Sequence, residues 1–373
     1  MCFSSRSFRD TNIILGHGGR GNNWAYGYHG QHSESENSLL KQTMESLRKE
    51  VERRDSYSGT VLLHSLSGGT GSGLGARLCE TIREEFPLGH ILSVTVAPHH
   101  MGESPLQHFN SLLCLSWLQR YADGVLLFHN DDVLRRMVAM SGRKTADAMS
   151  GHSSQISLSA MNSHIASCLA GLMYPVQTLT TGSGLSIGME PWELLRSVCP
   201  MPSMKFLHVT QRSTSDLMVL LESALGCLMV KDAVQGDSLC INQQGHLHQH
   251  YSTAVLAVAR GNHDNSFFSS VNSVLMKLKQ GYRCVPWNPT PIDYWTELTS
   301  MFLSRIKSQS LTLCANHSSV MDYLNRVLER ARAMYEAHAY LHWYWKYHCE
   351  EEDFRQAFET LGTVLEDYSS AGD

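Results

Sequence analysis

The sequence predicts an α/β fold in which strands and helices alternate around a parallel sheet. Three observations carry this. Short β-branched apolar runs alternate with helix-period patterns through the first half of the chain. A glycine-rich turn, Ser67-Gly68-Gly69-Thr70-Gly71-Ser72-Gly73, joins one of those strands to the following helix. The 373 residues are 42% hydrophobic and 17% charged, which suits a chain of about two to three packed domains.

Each element can be justified in order. A short strand is expected over 12–15 and a helix over 38–54. A strand over 60–66, a helix over 72–86 and a strand over 90–97 make one βαβ cycle. A helix over 106–121, the Asp123-Gly124 turn and a strand over 125–129 make the next. A helix over 131–140 precedes the polar stretch 141–154, read as a surface insertion. The helix over 156–173 places Ile156, Ala160, Ile165, Leu169 and Leu172 at helical spacing. It is apolar on much of its circumference, as suits a helix buried between domains. The Thr-, Gly- and Ser-rich segment 177–188 marks a boundary. Beyond it the pattern predicts a helix over 192–198, a strand over 204–211, a helix over 213–231 and a strand over 253–260. A second boundary follows Pro286 to Pro291. Helices over 318–340 and 351–368 close the chain, the last opening on the acids Glu350 to Asp353, which complement a helix N-terminus.

Composition excludes several classes. Thirty Lys and Arg against 35 Asp and Glu leave a formal charge of −5, so no global field draws the chain to nucleic acid. No apolar run approaches the ~18 residues of a membrane span, and membrane insertion is not expected. The ten cysteines are scattered without a C-x-x-C pair, which excludes a zinc ribbon and points to a reducing compartment. The start, Met-Cys-Phe-Ser-Ser-Arg, lacks the apolar core of a signal peptide, so a cytoplasmic location is expected.

The glycine loop is the most informative segment. A strand-to-helix turn of this kind aims backbone N–H groups and the positive end of a helix at one point, which suits phosphate. Thr70 and Ser72 add hydroxyl donors. Five glycines in eight residues exceed what one tight turn requires. Gly71-Ser-Gly-Leu-Gly-Ala76 fits the relaxed dinucleotide pattern, but the next strand ends in Ala97-Pro-His-His100 without an acid for a ribose. No Gly-Lys-Ser/Thr follows the loop, so it is not a Walker A motif. Gly184-Leu-Ser-Ile-Gly188 fits G-x-S-x-G, yet no apolar strand precedes it. His246, His248 and His250 alternate within a Gln/Asn/Gly-rich stretch that reads as an exposed loop, not a metal site. Trp343, Tyr344, Trp345 and Tyr347 lack a basic surround and read as packing residues at a helix corner.

The loop closely resembles the tubulin signature G-G-G-T-G-S-G, with Ser67 in place of its first glycine. Gly21-Asn-Asn-Trp-Ala-Tyr-Gly27 is similar to the tubulin G-N-N-W-A-K-G loop. His342-Trp-Tyr344, followed by Glu350-Glu-Glu-Asp-Phe354, is similar to the end of the tubulin C-terminal domain. The motifs occur in family order and bracket almost the whole chain. Within the family the chain resembles a divergent centriolar type, delta or zeta, since the long Glu-rich tail of alpha and beta tubulins is missing. The resemblance implies a tubulin-like α/β fold with three parts. These are a parallel-sheet GTPase domain over 1–176 that includes the core helix, an α/β intermediate domain over 177–316, and a C-terminal helical pair over 317–373.

The resemblance also implies a site. Ser65, Gly69, Thr70 and Gly71 would contact phosphate, and Asn22 and Asn23 would reach the same pocket. Asn130 and Asn162 would hydrogen-bond the guanine of GTP or GDP, since an amide offers both a donor and an acceptor. Leu158 stands where tubulins place an aromatic, so base stacking would be weaker. In register with Pro200-Met-Pro202, Gly188-Met-Glu-Pro-Trp-Glu193 lies where alpha tubulins carry the loop N-x-D-x-x-E, with Gly188 replacing the Asn and Glu190 the Asp. Glu193 then falls on the catalytic acid that acts in trans on a neighbouring subunit's GTP; its residue-level alternative is an ordinary acid in the first turn of a helix.

One departure is large. Tubulins begin with a strand, a phosphate loop of G-Q-C-G-N-Q type and a further βα unit, whereas about twenty residues precede Gly21. A truncated gene model or splice form is expected, with the acid that positions magnesium in the missing part, and with feeble nucleotide binding. The expected function is a GTP-binding structural subunit or cap of centriolar or basal-body microtubules, with other tubulins as partners and a GTPase coupled to assembly. The alternative is a tubulin-like interaction module that no longer binds nucleotide.

Overall fold

The computed structural model describes residues 8–16, 18–30, 39–100, 102, 104–140, 156–174, 176–177, 188–189, 192–214, 250–260, 278–297 and 309–372. The expected insertion 141–154, His246, His248, residues 184–187 and most of the helix expected over 213–231 lie outside them.

In chain order the helices and strands are α1 (Trp24–His29), α2 (Leu39–Glu52), β1 (Gly59–Ser65), α3 (Gly75–Glu85), β2 (His90–Ala97), α4 (Gln107–Tyr121), β3 (Gly124–His129), α5 (Asn130–Met140), α6 (Leu158–Met173), β4 (Val176–Gln177), β5 (Gly188–Met189), α7 (Glu193–Val198), β6 (Phe206–Thr214), β7 (Ser252–Arg260), β8 (Ile292–Glu297), β9 (Gln309–His317), α8 (Val320–Glu336), α9 (Leu341–Trp345) and α10 (Glu351–Ser370). The chain divides into two compact units, Met1–Val125 with Leu324–Thr363, and Leu126–Tyr323 with Val364–Asp373.

In the first unit β1 and β2 pair in parallel, from Gly59 opposite His90 to Ser65 opposite Val96. The connection between them is one wide π-type turn, Thr70–Leu74, running into α3. This is the expected βαβ cycle. Asp123 fixes the far end of the strands. Its carboxylate accepts from the Ile91 N–H at 2.7 Å and pairs with Arg83 at 2.6 Å. α4 is buried on every side from Phe109 to Leu118, including Asn110, Ser111 and Ser116. The C-terminal part adds an aromatic cluster in which Phe354 packs against Phe109, Tyr335 and Tyr344 at ring separations of 5.0, 5.5 and 5.5 Å.

The strand expected over 12–15 does not form. A 3₁₀ turn, Asp10–Asn12, occupies its start, and Ile13 and Leu15 are exposed. Among the described residues no strand runs beside them, and an apolar alternation with no neighbour has nothing to bury.

In the second unit β6, β9, β7 and β8 lie in that order. β9 is antiparallel to both β6 and β7, and β7 runs parallel to β8. All nine residues of β7 are buried, so its continuous apolar run reflects cover on both faces. Val255, Ala257, Ala259, Leu278, Tyr282 and Leu313 belong to one cluster. Arg260, 3% exposed at the end of β7, donates from Nε to the Gly171 carbonyl at 3.0 Å and also reaches the Tyr174 carbonyl. A buried guanidinium thereby satisfies the last carbonyls of α6 at the negative end of that helix. Residues 213–214, expected to open a helix, continue β6 instead. No helix among the described residues is long and apolar enough to cross a membrane.

Candidate functional site

The loop after β1 is shaped by what it lies on. None of its glycines has a positive φ, and Gly69 sits at φ −59° with helical geometry. Their role is close approach. A Cβ on Gly27 of α1 would overlap the Gly69 carbonyl oxygen and stand 2.9 Å from Gly73 Cα. A Cβ on Gly69 would stand 2.6 Å from the backbone nitrogen and oxygen of Asn23. The loop therefore rests backbone to backbone on α1 and on the turn before it. Gly21 and Asn22 make that turn with φ of 56° and 50°, values that glycine and asparagine tolerate best.

These contacts bring together six of the residues implied by the resemblance. Ser65 ends β1 directly beneath Gly71, whose Cβ would stand 2.8 Å from Ser65 Oγ. Gly69 and Thr70 open the turn, and Thr70 is exposed. A Cβ on Gly68 would meet only Asn22 Oδ1, at an ordinary 3.7 Å. The open side of the loop is thus at Gly68 and Thr70, beside the amide of Asn22. Two groups are committed elsewhere. Asn23, 4% exposed, accepts from the Tyr26 N–H as the cap of α1 and donates to the Trp343 carbonyl at 2.9 Å. Ser72, expected to offer a hydroxyl to phosphate, is fully buried and donates to the Gly68 carbonyl at 2.7 Å. It closes the turn from inside.

Two supports escape sequence reasoning. Asn110 of α4, wholly buried, donates from Nδ2 to the carbonyls of Asn22 at 2.7 Å and Ser67 at 2.8 Å. Its Oδ1 accepts from the Trp24 N–H at 2.8 Å and the Tyr344 hydroxyl at 2.7 Å. The one available signal is an amide side chain in the largely apolar run Phe109-Asn-Ser-Leu-Leu-Cys-Leu115. The second support is His64 on β1, which hydrogen-bonds Ser93 Oγ at 2.8 Å and touches Gly75 at the start of α3. Burial pushes its pKa down to about 4, against a smaller opposing effect of the backbone at Ser65 and Gly71. The imidazole is neutral at pH 7. Behind α1, Trp24 stacks on Tyr28 at 4.6 Å and meets Trp117 edge-on at 4.9 Å. Burial and then the hydrogen bond to Glu80 raise Tyr28 to about 12, so it remains a donor.

The other implied residues fall in the second unit. Asn130 is the half-buried first residue of α5, and Asn162 lies exposed on α6, against which α5 packs. Leu158, at the start of α6, is 68% exposed. Glu193 is the half-buried first residue of α7. That helix is held by Ser197, which donates to Asp293 Oδ2 of β8 at 2.6 Å, and by Asn316 Nδ2, which donates to the Val198 carbonyl at 3.0 Å.

Comparison with known proteins agrees with the geometry. The model of the Tubulin/FtsZ family, GTPase domain, matches residues 2–137, which include α1, the glycine loop and α4. Over this stretch the chain resembles the tubulin family. It is 28% identical over 377 residues to the tubulin delta chains of Macaca fascicularis and Homo sapiens, covering 94% of this chain and 78% of each relative. It is 26% identical over 371 residues to the tubulin beta-2 chain of Emericella nidulans, covering 97% of this chain and 75% of that relative. The tubulin-like α/β fold expected from the glycine loop and its flanking motifs is the fold observed.

On the open side of the loop Gly68 leaves room for an approaching group and Thr70 is exposed, an arrangement that suits an anion. Among the described residues no three His, Cys, Asp or Glu side chains converge on a metal site.

Two outcomes follow from this packing. Gly69→Ala drives a methyl into the Asn23 backbone and is expected to lower stability by about 3 kcal/mol. Gly68→Ala should stay within about 0.5 kcal/mol of the parent in urea unfolding. Equal effects would show that the loop does not rest on α1. For His64, the folded pKa lies below the unfolded value of about 6.5, so the unfolded chain binds the extra proton between pH 6.5 and pH 4. Stability is therefore lost as pH falls through that window, by about 3 kcal/mol for a shift of this size. Because burial also lowers His29 and His108, the parent is compared with His64→Gln, whose loss over the same window should be shallower. Parallel profiles would remove His64 as the cause.

Proposed function

We propose that this chain is a GTP-binding cytoskeletal protein of the tubulin family, a structural subunit or cap of centriolar or basal-body microtubules with other tubulins as partners. The supporting observation is the glycine loop laid on α1 with Gly68 and Thr70 on its open side and Asn22 beside them. The delta-chain likeness supports the centriolar assignment. In this reading the protein divides into domains over 1–176, 177–316 and 317–373. Ser65, Gly69, Thr70, Gly71, Asn22 and Asn23 form the phosphate end, with Asn23 holding the turn in place, because its amide and its backbone N–H are already bonded. Asn130 and Asn162 supply the amides that read guanine.

A second reading, an interaction module that no longer binds nucleotide, is favoured by the inward turn of Ser72 and the commitment of Asn23. Titration with GTP separates the two. We expect saturable binding, weakened at least tenfold by Thr70→Val, the loss of one hydrogen bond to a charged oxygen. Thr70 is exposed, so this variant leaves the packing intact, whereas a methyl at Gly71 would press on Ser65. Absence of binding by the parent chain would favour the second reading.

Hydrolysis in this reading is completed across a subunit contact, with Glu193 orienting water toward the GTP of a neighbouring tubulin. A general base must be ionised and within hydrogen-bond reach of that water. Mixed with alpha/beta tubulin, Glu193→Ala should slow phosphate release at least about a hundredfold relative to the parent. Equal release would leave Glu193 as an acid in a helix's first turn. In either case binding of GTP by this chain itself should be unchanged by the substitution.

A further inference from the structure

The four hydrogen bonds of Asn110 do more than fill a buried amide. Two donors and two acceptor positions are all a carboxamide has, and all four are used. The partners also fix which atom is oxygen. Two carbonyls demand the NH₂ group, and the Trp24 N–H demands the oxygen. Both carbonyls belong to peptides of the candidate site. A trans peptide is planar, with its C=O and N–H pointing in opposite directions. Drawing the Ser67 carbonyl inward to Asn110 therefore turns the Gly68 N–H outward, toward the open side of the loop. Drawing the Asn22 carbonyl inward fixes the turn that carries the Asn22 side chain beside Gly68.

The fourth partner leads away from the site. Tyr344, fully buried, lies in α9 with its ring edge-on to Phe109 at 5.4 Å. The residue before it, Trp343, accepts at its carbonyl from Asn23 Nδ2. Two successive residues of α9 thus hold Asn23 and the amide that sets Asn22. On either flank of Tyr344, Trp343 and Trp345 are 45% and 44% exposed.

We propose that Asn110 is a positioning residue of the phosphate loop and that Tyr344 couples α9 to it, so that order in one is transmitted to the other. The proposal rests on the phosphate reading for its link to nucleotide, while the mechanical coupling stands without it. The warrant is direct. A single amide is shared by α1, the loop, α4 and α9, and losing one partner leaves a buried group unpaired. Coupling of this kind is reciprocal, so a nucleotide that orders the loop must also steady α9.

Tyr344→Phe is the decisive variant, because it deletes one hydroxyl and keeps the ring against Phe109 and Phe354. Asn110→Ala is the harsher companion. Amide hydrogen exchange is followed in peptides over 20–28, 66–75 and 341–349, with 252–260 as the internal reference, and GTP affinity is titrated in parallel. Tyr344→Phe is expected to raise exchange about tenfold in 20–28 and 66–75 and to leave 252–260 unchanged. GTP is expected to bind about tenfold more weakly, and to slow exchange over 341–349 in the parent but not in Tyr344→Phe. Unchanged exchange over 66–75, or an equal rise that includes 252–260, overturns the proposal. If the parent binds no GTP, the functional reading fails, and the exchange over 20–28 and 66–75 alone still decides the coupling. If the parent binds GTP and Tyr344→Phe binds it equally well, the functional reading stands and the positioning role falls.

Discussion

Two helical or turn backbones pack at their closest where side chains are absent, and Gly27 of α1 meets Gly69 and Gly73 of the loop after β1 in this way. The rest of the first unit is arranged around that contact. With the loop pressed on α1, the Ser67 and Asn22 carbonyls come close enough for one buried amide, Asn110, to hold both. With Asn110 so placed, the Trp24 N–H and the Tyr344 hydroxyl complete its valences, and α4 and α9 are drawn to the same point. A methyl at Gly27 or Gly69 would separate the backbones and break these bonds together.

The electrostatics follow the same plan. The site carries few formal charges of its own, and what it offers an anion is backbone dipole, a hydroxyl and an amide. His64 beneath the loop is kept neutral by burial, so it contributes a hydrogen bond to Ser93 and no charge. Behind α1, Glu80 gathers the hydroxyl of Tyr121 at 3.1 Å and the guanidinium of Arg77 at 3.0 Å, with Tyr28 on the same carboxylate. That carboxylate is satisfied by three partners.

How much of this was legible depends on how local each cause is. The βαβ cycle from β1 to β3, α4 and the two long C-terminal helices follow from periodicity, because each buries a face that its own sequence displays. β9 was not legible. Gln309-Ser-Leu-Thr-Leu-Cys-Ala-Asn-His317 places Thr312 and Asn316 in the core as deeply as Leu311 and Leu313. Those polar groups are acceptable only through distant partners, such as the Val198 and Met204 carbonyls that Asn316 holds. The strand expected over 12–15 failed for the converse reason, a pattern with no neighbour to receive it. In the site, the glycine loop and the Asn22-Asn23 turn were visible as motifs. Asn110, His64 and Tyr344 were not, since each acts through residues 29 to 234 positions away.

The glycines themselves show how a correct motif can rest on an incomplete reason. Their number suggested more than one tight turn, and phosphate was the additional demand that seemed to explain it. The structure supplies another demand first. Gly69 and Gly73 are needed to seat the loop on α1 whether or not an anion is present, and only Gly68 lies open. A glycine count therefore measures two constraints at once, close packing beneath the loop and close approach above it. Here the first constraint is visible, because the loop glycines pack against the helix beneath them. Gly27 and Asn110 serve the first of these constraints, Gly27 by letting the loop seat on α1 and Asn110 by holding the Ser67 carbonyl. Both act on the same peptide planes, and neither would be required if the loop were merely a turn.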